Sequence, residues 1–164
     1  MPSRRKTREF VLQVLFSADA RNQDPAEVWE FLEGHFQSDP EEVVKMHRVM
    51  RDFARDLVLA VSRDLKVIDE LISQLSHHWK LQRINRVDRN ILRMAIAEIT
   101  NFPEIPSRVI LNEAVEIGKK YGADNSSAFI NGILDRIHNL EPRPSSAAQL
   151  HKIITELDES GTTV

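Results

Sequence analysis

The 164-residue chain contains no cysteine. That absence removes disulfides, thiolate metal sites and a cysteine nucleophile, and it fits a reducing compartment. Glycine is scarce, at five residues, and no segment shows the strict apolar–polar alternation of a half-buried strand. No apolar run approaches the roughly 20 residues that a membrane-spanning helix needs. Catalytic signatures are missing as well. There is no G-x-S-x-G, H-E-x-x-H or P-loop, and Gly118-Lys119-Lys120 lacks the preceding glycine-rich loop. His77-His78 is the best metal candidate, but adjacent helical residues point about 100° apart and no third ligand stands at a characteristic spacing. No catalytic residue, metal or cofactor is expected, and the chain reads as a non-enzyme.

One further absence carries information. No acidic residue precedes Glu9, whereas Arg4, Arg5, Lys6 and Arg8 crowd the start of a chain whose net charge is −3. These cations lead into an apolar stripe, Phe10, Val11, Val14, Leu15 and Ala18, spaced like one face of a helix. In a helix beginning near Ser3 each cation at the positive end of the macrodipole costs a few tenths to about 1 kcal/mol. Three readings compete: a solvated, frayed end, an export signal, or an anion-binding patch. Ser3-Arg4-Arg5-Lys6 looks like a twin-arginine start and Ala18-Asp19-Ala20 like a small-residue cleavage site. Glu9 and Gln13, however, interrupt the apolar run, so no continuous hydrophobic region remains for an address. The pI near 6.1 excludes a uniformly basic binder, so any nucleic-acid contact has to come from local patches.

With 41% hydrophobic and 29% charged residues, the composition suits a soluble domain with a real core. Apolar spacing is helical nearly throughout, which predicts an all-α fold of about seven helices. The first runs from about residue 4 to 21. Asp24-Pro25 and Asp39-Pro40 each read as an N-cap followed by proline at the first helical position. The second of these opens a helix through Val43, Val44, Met46, Val49, Met50, Phe53, Leu57 and Val58 towards Trp79, with a bend expected near Ser62. Asn85 caps the next helix with Asp88 in its first turn, and Asn101-Phe102-Pro103 ends it. Pro106 opens a helix to Tyr121, with Gly122 as its C′ residue. Asp124-Asn125-Ser126-Ser127 supplies caps for a last core helix through Phe129, Ile130, Ile133, Leu134 and Ile137. The expected organisation is an N-terminal helical subdomain over 1–80, a second over 81–140, and a tail over 141–164 that is flexible or a short helix near 150–157.

Within the second subdomain, Arg83, Arg86, Arg89 and Arg93 fall on one arc of a helix, opposite its apolar face and without a neutralising carboxylate of their own helix. An ordinary solvated face explains such a stripe. Arginine alone, unmixed with lysine or glutamate, also suits bidentate recognition of phosphate or carboxylate. Glu113 lies in an apolar arc, where a structural hydrogen bond or ion pair outweighs an acid–base role. Asn112 and Asn131 read as buried polar links or ligand-binding amides, with the structural role favoured, and Gly132 as a place of close helix approach.

Several of these segments together resemble the NusB family of transcription antitermination factors. They are Arg83-Ile-Asn-Arg-Val-Asp-Arg-Asn-Ile-Leu-Arg93, Ile110-Leu-Asn-Glu-Ala-Val-Glu-Ile-Gly-Lys119, Tyr121-Gly122 and Phe129-Ile-Asn-Gly-Ile-Leu-Asp135, with the basic opening through Glu9 and Val14-Leu-Phe16. The resemblance covers roughly residues 4–138. It implies two small helical bundles packed about perpendicular, no enzymatic activity and a cytoplasmic location. It also implies binding of boxA RNA from rRNA operon leaders, jointly with the ribosomal protein NusE, within an antitermination complex on RNA polymerase. By position, Arg4, Arg5, Lys6 and Arg8 match the RNA-contacting segment. Arg93, Asn125 and Phe129 map near the RNA surface, with Arg86 and Arg89 as weaker candidates, and Phe16 and Asp88 fall at the NusE contact. Phe129 can stack on a base or pack in the core; its spacing allows both. The resemblance leaves monomer and homodimer open, and the tail after Pro142 extends past shorter members. Two rivals remain. One is the RNA-binding module of an rRNA methyltransferase, which needs a catalytic domain this chain is too short to include; the other is a protein-interaction scaffold.

Overall fold

In the computed structural model the described residues are 3–38, 48–77 and 80–161. They form seven α-helices and one 3-10 turn, with no strand among them. The chain divides into two compact units, Met1–Arg63 and Asp64–Val164, a division that falls inside a long helix and ahead of the 80/81 boundary expected from sequence.

The first unit begins with α1, Arg4–Arg21. Ser3 caps it, its Oγ accepting the Lys6 N–H at 3.2 Å while its carbonyl accepts the Thr7 hydroxyl. Asn22 closes it in the left-handed conformation (φ 53), which a short polar side chain tolerates better than most. The buried face is Val11, Leu12, Val14, Leu15 and Ala18. Next, α2 spans Pro25–Ser38, and Asp24 accepts the Ala26 N–H at 2.9 Å as the Asp-Pro signal requires. Its Trp29 is fully buried and meets Phe10 edge-on, with ring centroids 6.2 Å apart.

The long helix, α3, spans Arg48–Leu75. It runs unbroken through Ser62, which donates to the Asp24 carboxylate. It stops at Leu75, short of Trp79, and His77 takes a positive φ of 57 just beyond it. The expected cap at Asp39-Pro40 and the apolar positions Val43, Val44 and Met46 lie outside the described residues, as do His78 and Trp79.

In the second unit the 3-10 turn Leu81–Arg83 precedes α4, Arg86–Asn101. The Asn85 side chain accepts the Asp88 N–H at 2.8 Å and returns a bond to the Asp88 carboxylate at 3.0 Å. Every residue from Asp88 to Thr100 is buried, so α4 is a central helix covered on all sides. It packs on α5, Ser107–Tyr121, and α6, Ser126–His138, which also pack on each other. The close approach of α5 and α6 is built at Gly118, where a Cβ would come within 2.7 Å of Ile130 Cδ1.

Gly122 is required for a different reason than a left-handed turn. Its φ is −89, but a Cβ there would strike Ser126 and come within 2.7 Å of the Gly118 carbonyl. Gly132, by contrast, faces open space among the described residues, so it mediates no helix contact there. The tail forms a fifteen-residue helix, α7, Ala147–Gly161, that buries Leu150 and Ile154, with Gln74 donating to Asp158 at 2.6 Å. Arg143 ties the segment before it to the end of α4. Its guanidinium donates to the carbonyls of Ile99, Phe102 and Ile105 at 3.0, 3.0 and 2.7 Å.

Candidate nucleic-acid interface

Helix α1 presents Arg4, Arg5 and Lys6 exposed in a first turn that holds no acidic residue. Arg8, grouped with them by sequence, is only 3% exposed. The guanidinium carbons of Arg4 and Arg8 lie over the Phe53 ring, 5.5 and 5.6 Å from its centroid. The basic start is thus a capped helix with three outward cations and one inward anchor. Further along α1, Phe16 is 38% exposed, a large ring on the surface of the first unit.

The arginine stripe of the second unit separates into two kinds of residue. Arg83 and Arg86 are exposed. Arg89 is buried, and its Nη1 donates to the carbonyls of Leu81 and Ile84 at 3.0 and 3.3 Å, holding the turn that leads into α4. Arg93, 8% exposed, forms a bidentate pair with Asp69, Nε to Oδ1 at 2.7 Å and Nη2 to Oδ2 at 2.9 Å. Its Nη1 also reaches the Asn90 amide oxygen at 3.0 Å. The stripe therefore does not face solvent as a whole. Its neutralising carboxylate comes from α3, 24 residues away, where no helical phasing within residues 83–93 could reveal it.

Asp88 is buried, with one oxygen held by Asn85 and the other, Oδ1, without a hydrogen-bond partner among the described residues. Burial pushes its carboxyl above the usual range, an effect that nearby Ser126 and Asn85 partly offset. Such a group disfavours its charged form unless something else supplies a donor.

In the turn between α5 and α6, buried Ser126 accepts the Ala123 N–H at 2.8 Å, a bond that holds the turn rather than capping α6. Asn125 makes no capping bond and is exposed. One turn on, Phe129 is half-buried. Tyr121, read from the sequence as a helix end and not as a site residue, is 41% exposed with Lys120 Nζ 5.1 Å from its ring centroid. The signal was available: an aromatic after two lysines, at a helix end just before glycine. Asn112 and Asn131 are exposed rather than buried links, and Glu113 is half-buried. Among the described residues no group of His, Asp or Glu is arranged to hold a metal ion, and no helix is long and apolar enough to cross a membrane.

The model of the NusB family matches residues 5–139, most of the chain. The chain belongs to the NusB family. It is 44% identical over 142 residues to the transcription antitermination protein NusB of Geotalea uraniireducens, covering 87% of this chain and 98% of that one. NusB of Myxococcus xanthus is 42% identical over 141 residues, with 84% and 95% covered. Among solved structures, T. maritima NusB superposes with a TM-score of 0.71 at 34% identity, covering 92% of this chain and 97% of that one. A structure of antitermination factors NusB and NusE in complex with dsRNA gives 0.64 at 27% identity, with 82% and 95% covered. The cations of α1 from Arg5 onward and the turn at Tyr121–Phe129 both lie inside the span that the NusB family model matches.

Proposed function

We propose that this chain is a non-enzymatic transcription antitermination factor that binds boxA-type leader RNA together with NusE and supports processive rRNA transcription in the cytoplasm. Membership of the NusB family, with a solved relative held in a complex with NusE and RNA, supports the class of function. The observation that carries the RNA-binding part is the first turn of α1, where three exposed cations share a helix N-terminus with no acid. Such a turn is electrostatically costly alone and favourable once phosphate occupies it. Arg4, Arg5 and Lys6 supply that attraction, while Asn125 and the half-buried ring of Phe129 offer an amide and a stacking face. Arg8 acts from within the first unit, against Phe53, and Arg89 and Arg93 act from within the second, holding the start of α4 and pairing with Asp69. Phe16 gives NusE an exposed ring, and Asp88 fixes the start of α4 through Asn85.

The salt dependence of binding tests this reading. Single-stranded RNA releases about 0.7 counterion per neutralised phosphate. Replacing Arg4, Arg5 and Lys6 with glutamine should therefore flatten the slope of log K against log salt by about 2. An unchanged slope in a folded variant removes α1 from the interface.

A further inference from the structure

Phe53 lies outside the set of residues proposed to meet RNA. It is an aromatic on α3, 8% exposed, with two arginines of α1 over its ring. Two guanidinium groups within 5.6 Å of one ring centroid repel each other, and the ring's negative face offsets part of that repulsion. A carboxylate in the same place would also hold Arg4, but it would neutralise it. Nearby on α3, Asp52 and Asp56 are engaged by Arg55 at 3.4 and 3.1 Å. A ring orients a cation while leaving its charge and its N–H donors available to a further partner.

We propose that Phe53 is a positioning residue for RNA binding: with buried Arg8 beside it, it fixes the guanidinium of exposed Arg4 so that its donors meet a backbone phosphate already ordered. The gain is preorganisation. An arginine free in solution gives up rotamer freedom on binding, whereas one resting on a ring has already done so. The inference rests on the RNA-binding reading and adds to it a residue that never touches RNA.

The test compares Phe53→Leu and Phe53→Tyr with the wild-type chain, each checked for helicity and thermal unfolding. The probe is boxA-containing RNA at three salt concentrations with NusE present. In the free proteins, the side-chain Nε–H signals of Arg4 and Arg8 are followed by NMR. Phe53→Leu should lose the ring-current displacement of both arginine signals and bind RNA roughly threefold to tenfold more weakly. Phe53→Tyr should keep both near wild type. Combining Phe53→Leu with Arg4→Gln should cost no more affinity than the larger single change, because the two act through one contact. If leucine prevents folding, Phe53→Met keeps the apolar volume without the ring and takes its place. A folded ring-less variant with unchanged affinity overturns the inference alone. A wild-type chain that binds no RNA overturns the RNA-binding reading and the inference with it.

Discussion

Removing Arg143 should destabilise the second unit far more than its place in a tail suggests. The last four carbonyls of an α-helix have no partner inside the helix, and each must find one elsewhere. Arg143 serves Ile99 in the last turn of α4, Phe102 at its C-cap and Ile105 in the turn before α5. A hydrogen bond to a charged donor contributes about 1.5–3 kcal/mol net when well buried. These three are part-buried, so water can replace some of what is lost. A total of about 2–4 kcal/mol for Arg143→Ala is the reasonable scale. For a chain of this size that corresponds to a fall in Tm of roughly 5–15 °C. Arg143→Lys should recover less than half, since an ammonium lacks the planar fork that spans three carbonyls. Urea unfolding followed by circular dichroism measures the difference, and hydrogen exchange at the amides of α4 and α7 locates it. A loss below about 0.5 kcal/mol, the range of an ordinary surface substitution, refutes the clamp.

Other substitutions test the packing and the buried charges. Gly132→Ala should stabilise by about 0.5–1 kcal/mol, since its Cβ meets nothing within 4 Å in mid-helix, whereas Gly122→Ala should cost about 1–3 kcal/mol by striking Ser126 and the Gly118 carbonyl. Thermal melts that rank the two the other way contradict the geometry. Breaking the pair between Arg93 and Asp69 with Asp69→Ala should cost about 3 kcal/mol because Arg93 is left charged and buried, and Asp69→Ala with Arg93→Met should cost less than Asp69→Ala alone. A double variant whose loss equals the sum of its single variants shows the two to be independent. Asp88 gives a pH signature. Its carboxyl sits above the ordinary value of about 3.9, so its favourable contribution is complete below that value and is lost as pH rises through the folded-state value. Asp88→Asn should therefore be more stable than wild type at neutral pH, with the gap closing as pH falls towards 4. A gap independent of pH in urea titrations rejects burial as the cause.

Helix boundaries were legible in the sequence wherever the signal is local. Ser3, Asp24 and Asn85 each make the side-chain bond that a capping residue makes, and proline and glycine mark the breaks. Burial was legible only where one helix face suffices to define it. Helix α4 is covered all round, so its phasing suggested an arginine face to solvent where two of the four arginines are inside. The partner of Arg93 comes from another helix, and the carbonyls held by Arg143 lie about forty residues upstream. Tertiary ion pairs of this kind leave no spacing in one sequence. The four cations of α1 look alike for the same reason. Only the position of Phe53 on α3 distinguishes Arg8, folded inward, from Arg5 and Lys6.

The most direct test of the central claim is a titration of boxA-containing RNA against scrambled RNA of equal length, with and without NusE, at several salt concentrations. The expected result is a preference for boxA that sharpens when NusE is present, and an affinity that falls with salt through the cations of α1. Equal, weak binding to both RNAs with NusE present would contradict it.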